Sequence, residues 1–90
     1  MKKNIDKLSI LRLGANKIYV GEVKNKKCNG HCILIFKNGN LYEGEMMDNK
    51  RTGKGAYVQP NIGWYIGEFK DGKMHGKGSM HYNGKNMTLN

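Results

Sequence analysis

No stretch of this 90-residue chain approaches the roughly 20 consecutive apolar residues that a membrane-spanning helix requires. The opening MKKNIDKLSILRLG has the basic start of a secretory leader, but Asp6, Lys7 and Arg12 interrupt what would have to be its apolar core. Cysteine is scarce too. Cys28 and Cys32 are the only two, and four steps of extended strand separate them by about 13 Å at ~3.3 Å per residue. A disulfide tolerates a Cα separation of only about 4.4–6.8 Å, so a bridge would need a tight bend between them. The expectation is a chain made and kept in a reducing compartment, the cytoplasm. Acidic residues are few, 7 against 16 Lys plus Arg, for a net charge of +9. That balance favours acidic partners: anionic lipid, nucleic acid or an acidic protein face. Part of it is compositional, since 14 lysines and 11 asparagines fill more than a quarter of the chain, as a coding bias would produce. A chain this short makes one small domain and buries too little surface to enclose a deep catalytic cavity, so a binding or structural module is expected before an enzyme.

What the sequence has in abundance is repetition. Placing Tyr19, Tyr42 and Tyr65 in register sets a period of 23 residues, and five columns are then identical in all three copies. They are Tyr19/Tyr42/Tyr65, Gly21/Gly44/Gly67, Glu22/Glu45/Glu68, Lys27/Lys50/Lys73 and Gly30/Gly53/Gly76. Val23, Met46 and Phe69 form an apolar column, and Asn25, Asp48 and Asp71 a turn-prone one. LSILRLGANKI lines up under HCILIFKNGNL, so the chain opens with the back half of a degenerate repeat. The divisions are 1–18 for the N-terminal segment with that half-repeat strand, 19–41, 42–64 and 65–87 for the repeats, and 88–90 for a tail.

Each copy carries several glycines, and each costs about 1 kcal/mol against alanine inside a helix, so strands fit better. Tyr65, Gly67 and Phe69 alternate with Ile66 and Glu68, the period of two that sends alternate residues to opposite faces. KNKK, MDNK and KDGK supply the turn, with positive φ expected at Asn49 and Gly72 in a hairpin with a bulged loop. Lys26 suits that place less well, and a looser first turn is expected. Second strands read as CILIF (32–36), GAYVQ (55–59) and GSMHY (78–82), with turn signals following at KNGN, PNIG and NGKN. The fold class is all-β: tandem antiparallel hairpins joined into one elongated, single-layer twisted sheet. Each copy then buries its tyrosine against its neighbours, because a lone hairpin is marginal in water. The glycines let an aromatic ring lie flat where a Cβ would stand, and the glutamates take the face opposite the tyrosines.

The motif Y-x-G-E-(apolar)-x-D-G-K-x-H-G-x-G of copy three, followed by Tyr82 and Asn83-Gly84, resembles the MORN (membrane occupation and recognition nexus) repeat. The resemblance covers about residues 19–86. Copies one and two depart from it where Val23 and Met46 replace the aromatic, Asn29 and Thr52 replace the histidine matched by His75, and Cys32 replaces a glycine. The resemblance implies tandem hairpins and binding rather than catalysis. Members of the family serve as scaffolds at membrane junctions and cytoskeletal structures, as appendages to lipid kinases and a lysine methyltransferase, and as grooves for partner peptides. An association with membrane or cytoskeleton is the corresponding expectation here.

Two sets of binding residues follow. Tyr19, Tyr42 and Tyr65 line a face on which a protein or peptide segment can dock. Lys27, Lys50 and Lys73 recur at about 10 Å intervals along one rim, given strands ~4.8 Å apart, with Lys54 and Lys77 as a second short row. Such a rail suits anionic headgroups, where each lysine is worth about 1 kcal/mol, although edge lysines also serve simply to keep a sheet soluble. Self-association through the terminal strands is a further partner expectation. Other chemistry is weaker. Gly72 to Lys77 lacks the spacing and the Ser or Thr of a phosphate loop. Cys28, His31 and Cys32 with His75 or His81 are zinc-ligand types, but alternation splits His31 from Cys32. KGAYV at 54–58 faintly echoes an RNA-recognition strand, and the repeat explains it more simply. No nucleophilic set stands out, and no cofactor or metal is implied.

Overall fold

The structure, a computed structural model, describes residues 8–89. Turn chemistry sets its layout. Two-residue turns at Asn25-Lys26, Asp48-Asn49 and Asp71-Gly72 have positive φ at both positions (+53° and +62°, +47° and +70°, +52° and +85°), the pattern whose twist matches paired strands. Three hairpins result: β2 (Lys17–Lys24) with β3 (Lys27–Phe36), β4 (Leu41–Met47) with β5 (Lys50–Gln59), and β6 (Gly63–Lys70) with β7 (Lys73–Tyr82). The half-repeat forms β1 (Leu8–Leu13) and the last strand is β8 (Lys85–Leu89). All eight pair antiparallel in chain order in one open sheet. The expected looser first turn is not found. Lys24 faces Lys27 across a two-residue loop like the others, with Lys26 held in the left-handed region because the paired strands on either side fix the loop length. That geometry costs a lysine about 1–2 kcal/mol.

The bulge lies in the downstream strand rather than in the loop. Pairing slips between Gly21 and Val23, between Gly44 and Glu45, and between Gly67 and Phe69. Gly30, Gly53 and Gly76 stand in the surplus segment, with φ of +102°, +60° and +68°. A Cβ on Gly30 or Gly76 would fall on the carboxylate of Glu22 or Glu68. Those carboxylates occupy the space for a reason: Glu22 Oε1 accepts the His31 N–H (3.1 Å) and Glu68 Oε1 the Lys77 N–H (3.4 Å), donors that the bulge takes out of the ladder. On the other face the tyrosine hydroxyls close the same joint. Tyr19, Tyr42 and Tyr65 donate to the carbonyls of Glu22, Glu45 and Glu68 at 2.5, 2.7 and 2.8 Å.

Register partners share a face, so Leu11, Tyr19, Leu34, Tyr42, Tyr57, Tyr65, Met80 and Met87 form one row across the sheet. Among the described residues the buried core lies on this face. Tyr42 lies over the Gly44–Gly55 pair and Tyr65 over the Gly67–Gly78 pair. Phe69 stands edge-on between Tyr42 and Tyr65, with ring centroids 5.2 and 5.3 Å away. In the first copy Cys32 sits opposite Gly21, in the column held by Gly55 and Gly78. Hairpins are tied to one another at the same beat: Asn49 N–H donates to Cys28 O, and Gly72 N–H to Arg51 O, both at 3.0 Å.

The beat stops at β8. Residues 14–16, 37–40 and 60–62 bridge successive units, but Asn83-Gly84 closes the last connection in two residues, with Tyr82 opposite Lys85. The strand therefore shifts by one. Met87, and not Thr88 at 23 residues beyond Tyr65, joins the tyrosine row opposite Met80. Thr88 and Leu89 continue this strand.

A Cβ at Gly67 would meet Gly78 Cα at 2.5 Å and the Tyr65 hydroxyl at 2.6 Å, whereas one at Gly14 meets nothing within 4 Å. Gly67→Ala is expected to cost about 3 kcal/mol by overpacking, and Gly14→Ala about 1 kcal/mol, from its φ of +69° alone. Urea denaturation of the two variants checks this. Equal costs would mean that the ring does not need the glycine beneath it.

Candidate functional site

Behind the tyrosine row the sheet presents a second face of a different kind. One row crosses it through Ile10, Val20, Ile33, Glu43, Ala56 and Ile66, and a parallel row through Ile18, Ile35, Leu41, Val58 and Trp64. Much of this aliphatic surface is open: Ile10 is 76 % exposed, Ile66 54 %, and Ile33 and Ile35 about 40 %. Trp64 stacks on His81 with centroids 5.8 Å apart, continuing the second row. On folded domains, large open apolar patches are typical of docking sites.

A groove of about 740 Å³ runs across this face from His31 to Leu89. Its floor is the glycine backbone of residues 44, 55, 67 and 78 with Ala56 and Ile66, and its wall carries Glu43, Glu45, Glu68, Lys54 and Lys77. At the β3–β4 end His31 is held by carboxylates, Nε2 against Glu43 (2.5 Å) and Nδ1 against Glu45 (3.1 Å). Glu45 is thereby drawn away from its own bulge, and the equivalent of the Glu22 and Glu68 bonds is not made there. The sequence puts the glutamates opposite the tyrosines, as found, but the clustering of His31 with Glu43 and Glu45 is not legible in it. The signal lay in the columns that break the repeat, His31 where the other copies have Lys54 and Lys77, and Glu43 where they have Val20 and Ile66.

Lys27, Lys50 and Lys73 open β3, β5 and β7 directly after the hairpin turns. They stand exposed along one long edge of the sheet, joined there by Lys24, Lys26 and Lys70. Lys54 and Lys77 do not continue that edge. They lie in the bulges beside Glu68 and line the groove. Tyr19, Tyr42 and Tyr65 are 0, 0 and 1 % exposed. Their rings are core and offer a partner no surface to touch.

On the tyrosine side one cation is set among the rings. Arg51 reaches under the turn of the third hairpin, donating to Gly72 O at 2.6 Å, with its guanidinium 5.4–5.8 Å from the rings of Tyr42, Tyr57 and Phe69. Cys28 and Cys32 are free thiols buried on this face, while His31 points to the other, as alternation predicts. Burial, with Cys28 adding to it, pushes the Cys32 thiol up to about 12, and burial raises Cys28 against a smaller opposing effect of Lys17. Burial also pushes the Tyr42 hydroxyl up to about 12, with Cys32 next in effect, and raises Tyr19 in the same direction. Among the described residues no three His, Cys, Asp or Glu side chains gather in a metal-holding arrangement. The glycines of residues 72–78 are turn and bulge, and KGAYV is part of β5, where Tyr57 is partly buried and accepts a hydrogen bond from Asn40 Nδ2 (2.9 Å).

The MORN repeat family model matches the chain three times, over residues 19–41, 42–61 and 65–87. No curated protein matches it.

Raised pKa values carry a sign. A tyrosine whose folded pKa lies above its unfolded value stabilises the fold at pH below about 10, and that contribution is lost as pH climbs through the folded value of about 12. Tyrosinate absorbance from Tyr19 and Tyr42 is expected to rise together with loss of the strand circular dichroism over that window. Full ionisation with the sheet intact would contradict the burial. The thiols should react with a disulfide reagent roughly tenfold or more slowly at about pH 8 in the folded chain than in denaturant, and equal rates would mean they are not enclosed.

Proposed function

This chain belongs to the MORN repeat family, and from that premise we propose that it is a non-catalytic protein-interaction module, a scaffold or adaptor that holds a partner segment against the face opposite its tyrosines. The open aliphatic rows over a shallow groove are the observation that carries the reading. The tyrosines contribute indirectly, as the core of the sheet on which those rows stand. A groove this open, floored by glycine backbone, suits the capture of a segment better than the enclosure of a reacting small molecule. A photo-crosslinking residue in place of Ile66 should yield a discrete protein adduct that excess unmodified chain competes away, and the same residue in place of Ile62, in the loop between β5 and β6, should not. Diffuse labelling from both positions would remove the reading.

A second reading is favoured by the lysine column. Of the five columns repeated without change, four are accounted for by the tyrosine, glycine, glutamate and bulge joint. Lys27, Lys50 and Lys73 are exposed and make no ion pair among the described residues. A row of unpaired lysines along one edge suits a peripheral adaptor standing edge-on at an anionic phospholipid surface. No helix among the described residues is long and apolar enough to cross a membrane. Co-sedimentation with anionic vesicles, absent with neutral ones and lost on combined Lys27, Lys50 and Lys73→Glu, is the expected result; binding indifferent to salt or to lipid charge counts against it.

A further inference from the structure

We propose that the occupant of the open face is a helix from a partner protein, with an aliphatic stripe flanked by lysine or arginine. This rests on the protein-binding reading above and specifies the chemistry of the partner.

The first argument is the state of the backbone. Strands β2 to β7 each pair with a neighbour on both sides, so the face between the sheet's two edges offers side chains and few free ladder groups. An extended segment lying flat on it would bury N–H and C=O groups without partners, at about 1–3 kcal/mol each. A helix arrives with those groups already bonded to one another. The spacing agrees. Neighbouring strands are ~4.8 Å apart, so row residues two strands apart stand about 10 Å from each other, close to the roughly 10.5 Å rise of seven helical residues. Residues i and i+7 of a helix crossing the strands can therefore seat on Ile33 and Ala56 in the same row.

The second argument is charge. Alternation and register place all four glutamates of the chain, Glu22, Glu43, Glu45 and Glu68, on this face; Arg12, Lys24, Lys27, Lys50, Lys70 and Lys73 share it but lie outside the groove, the lysines at the turn end of the strands. The chain has 16 Lys plus Arg, yet among the described residues the only ion pairs these carboxylates make are with His31. Carboxylates beside open aliphatic surface are complementary to cationic side chains on an apolar helix. Lys54 and Lys77 stand toward the β5–β7 end of the groove and would repel them there. The carboxylate pair at the His31 end sets the polarity: the basic end of the helix lies over β3 and β4, against Glu43 and Glu45.

The test is selection from a displayed library of about 15-residue segments, unbiased in charge and helicity, against the full chain. Enriched sequences are expected to form helices with aliphatic residues at i, i+3 or i+4, and i+7, flanked by Lys or Arg. Their affinity should fall tenfold or more on combined Glu43→Lys and Glu45→Lys, and return when the peptide's basic residues are exchanged for glutamate. Ile66→Asp should abolish binding while the strand circular dichroism is retained. Enriched segments that are acidic or proline-rich and extended, yet lost on Ile66→Asp, would overturn the helix and leave the protein-binding reading standing. Enrichment unmoved by Ile66→Asp, or no enrichment at all, would overturn both.

Discussion

A hydroxyl bonded to a carbonyl three residues ahead, made in every copy, is the joint on which this sheet depends. Tyr19, Tyr42 and Tyr65 reach the carbonyls of Glu22, Glu45 and Glu68, and at Tyr42 and Tyr65 the glycine two residues on leaves the hydroxyl its room. That carbonyl needs a side-chain partner because the strand opposite is bulged there, and in the first and third copies the glutamate side chain ties off a donor that the bulge exposes. A single-layer sheet has no second layer to bury anything against. An aromatic side chain has about 150–250 Å² to hide, and here it hides on the pleat of its own sheet. Core and joint are the same residues, which is why truncating a tyrosine would remove both at once.

Inheritance of the core from copy to copy also explains how the degenerate columns survive. Val23 and Met46 replace the aromatic seen at Phe69, yet Met46 is 6 % exposed and Tyr42 still receives the edge of Phe69 from the next hairpin. Arg51 stands in a column that is Cys28 and Met74 in the other copies and is accommodated by three rings and the Gly72 carbonyl. Each lapse is made good by a neighbour, in the quasi-linear manner of repeat proteins.

Much of this was legible in the sequence because the constraint is local. The spacing of Tyr, Gly and Glu announces a strand with a flat ring on one side and a carboxylate on the other, and Asp71-Gly72 announces its turn. Harder to see were features decided by competition between distant parts. Lys26 reads as a poor turn residue, but pairing on both flanks leaves the loop only two residues. Thr88 falls on the beat, but the tight Asn83-Gly84 turn draws the strand in by one and turns Thr88 to the other face. The groove was least legible of all. Its chemistry lies in positions where the copies differ, Glu43 and His31, and only the pairing of β3 with β4 brings them together.

Building the core on one face has a consequence for the other. Strands spaced by backbone hydrogen bonds and weighted on the tyrosine side need nothing from Ile33, Ile35 or Ile66, so these aliphatics can stand open without loss of the fold. Left open, such surface forfeits about 25 cal/mol per Å², a free energy that a partner recovers on covering it. The glutamates keep that face soluble in the meantime, and they do so with the sign opposite to the rest of the chain. The lysines of the turn edge sit at the ends of the strands and do not line the groove. An anionic surface met edge-on and a segment held face-on would therefore occupy different parts of the sheet, so the two readings of its function do not compete for the same residues.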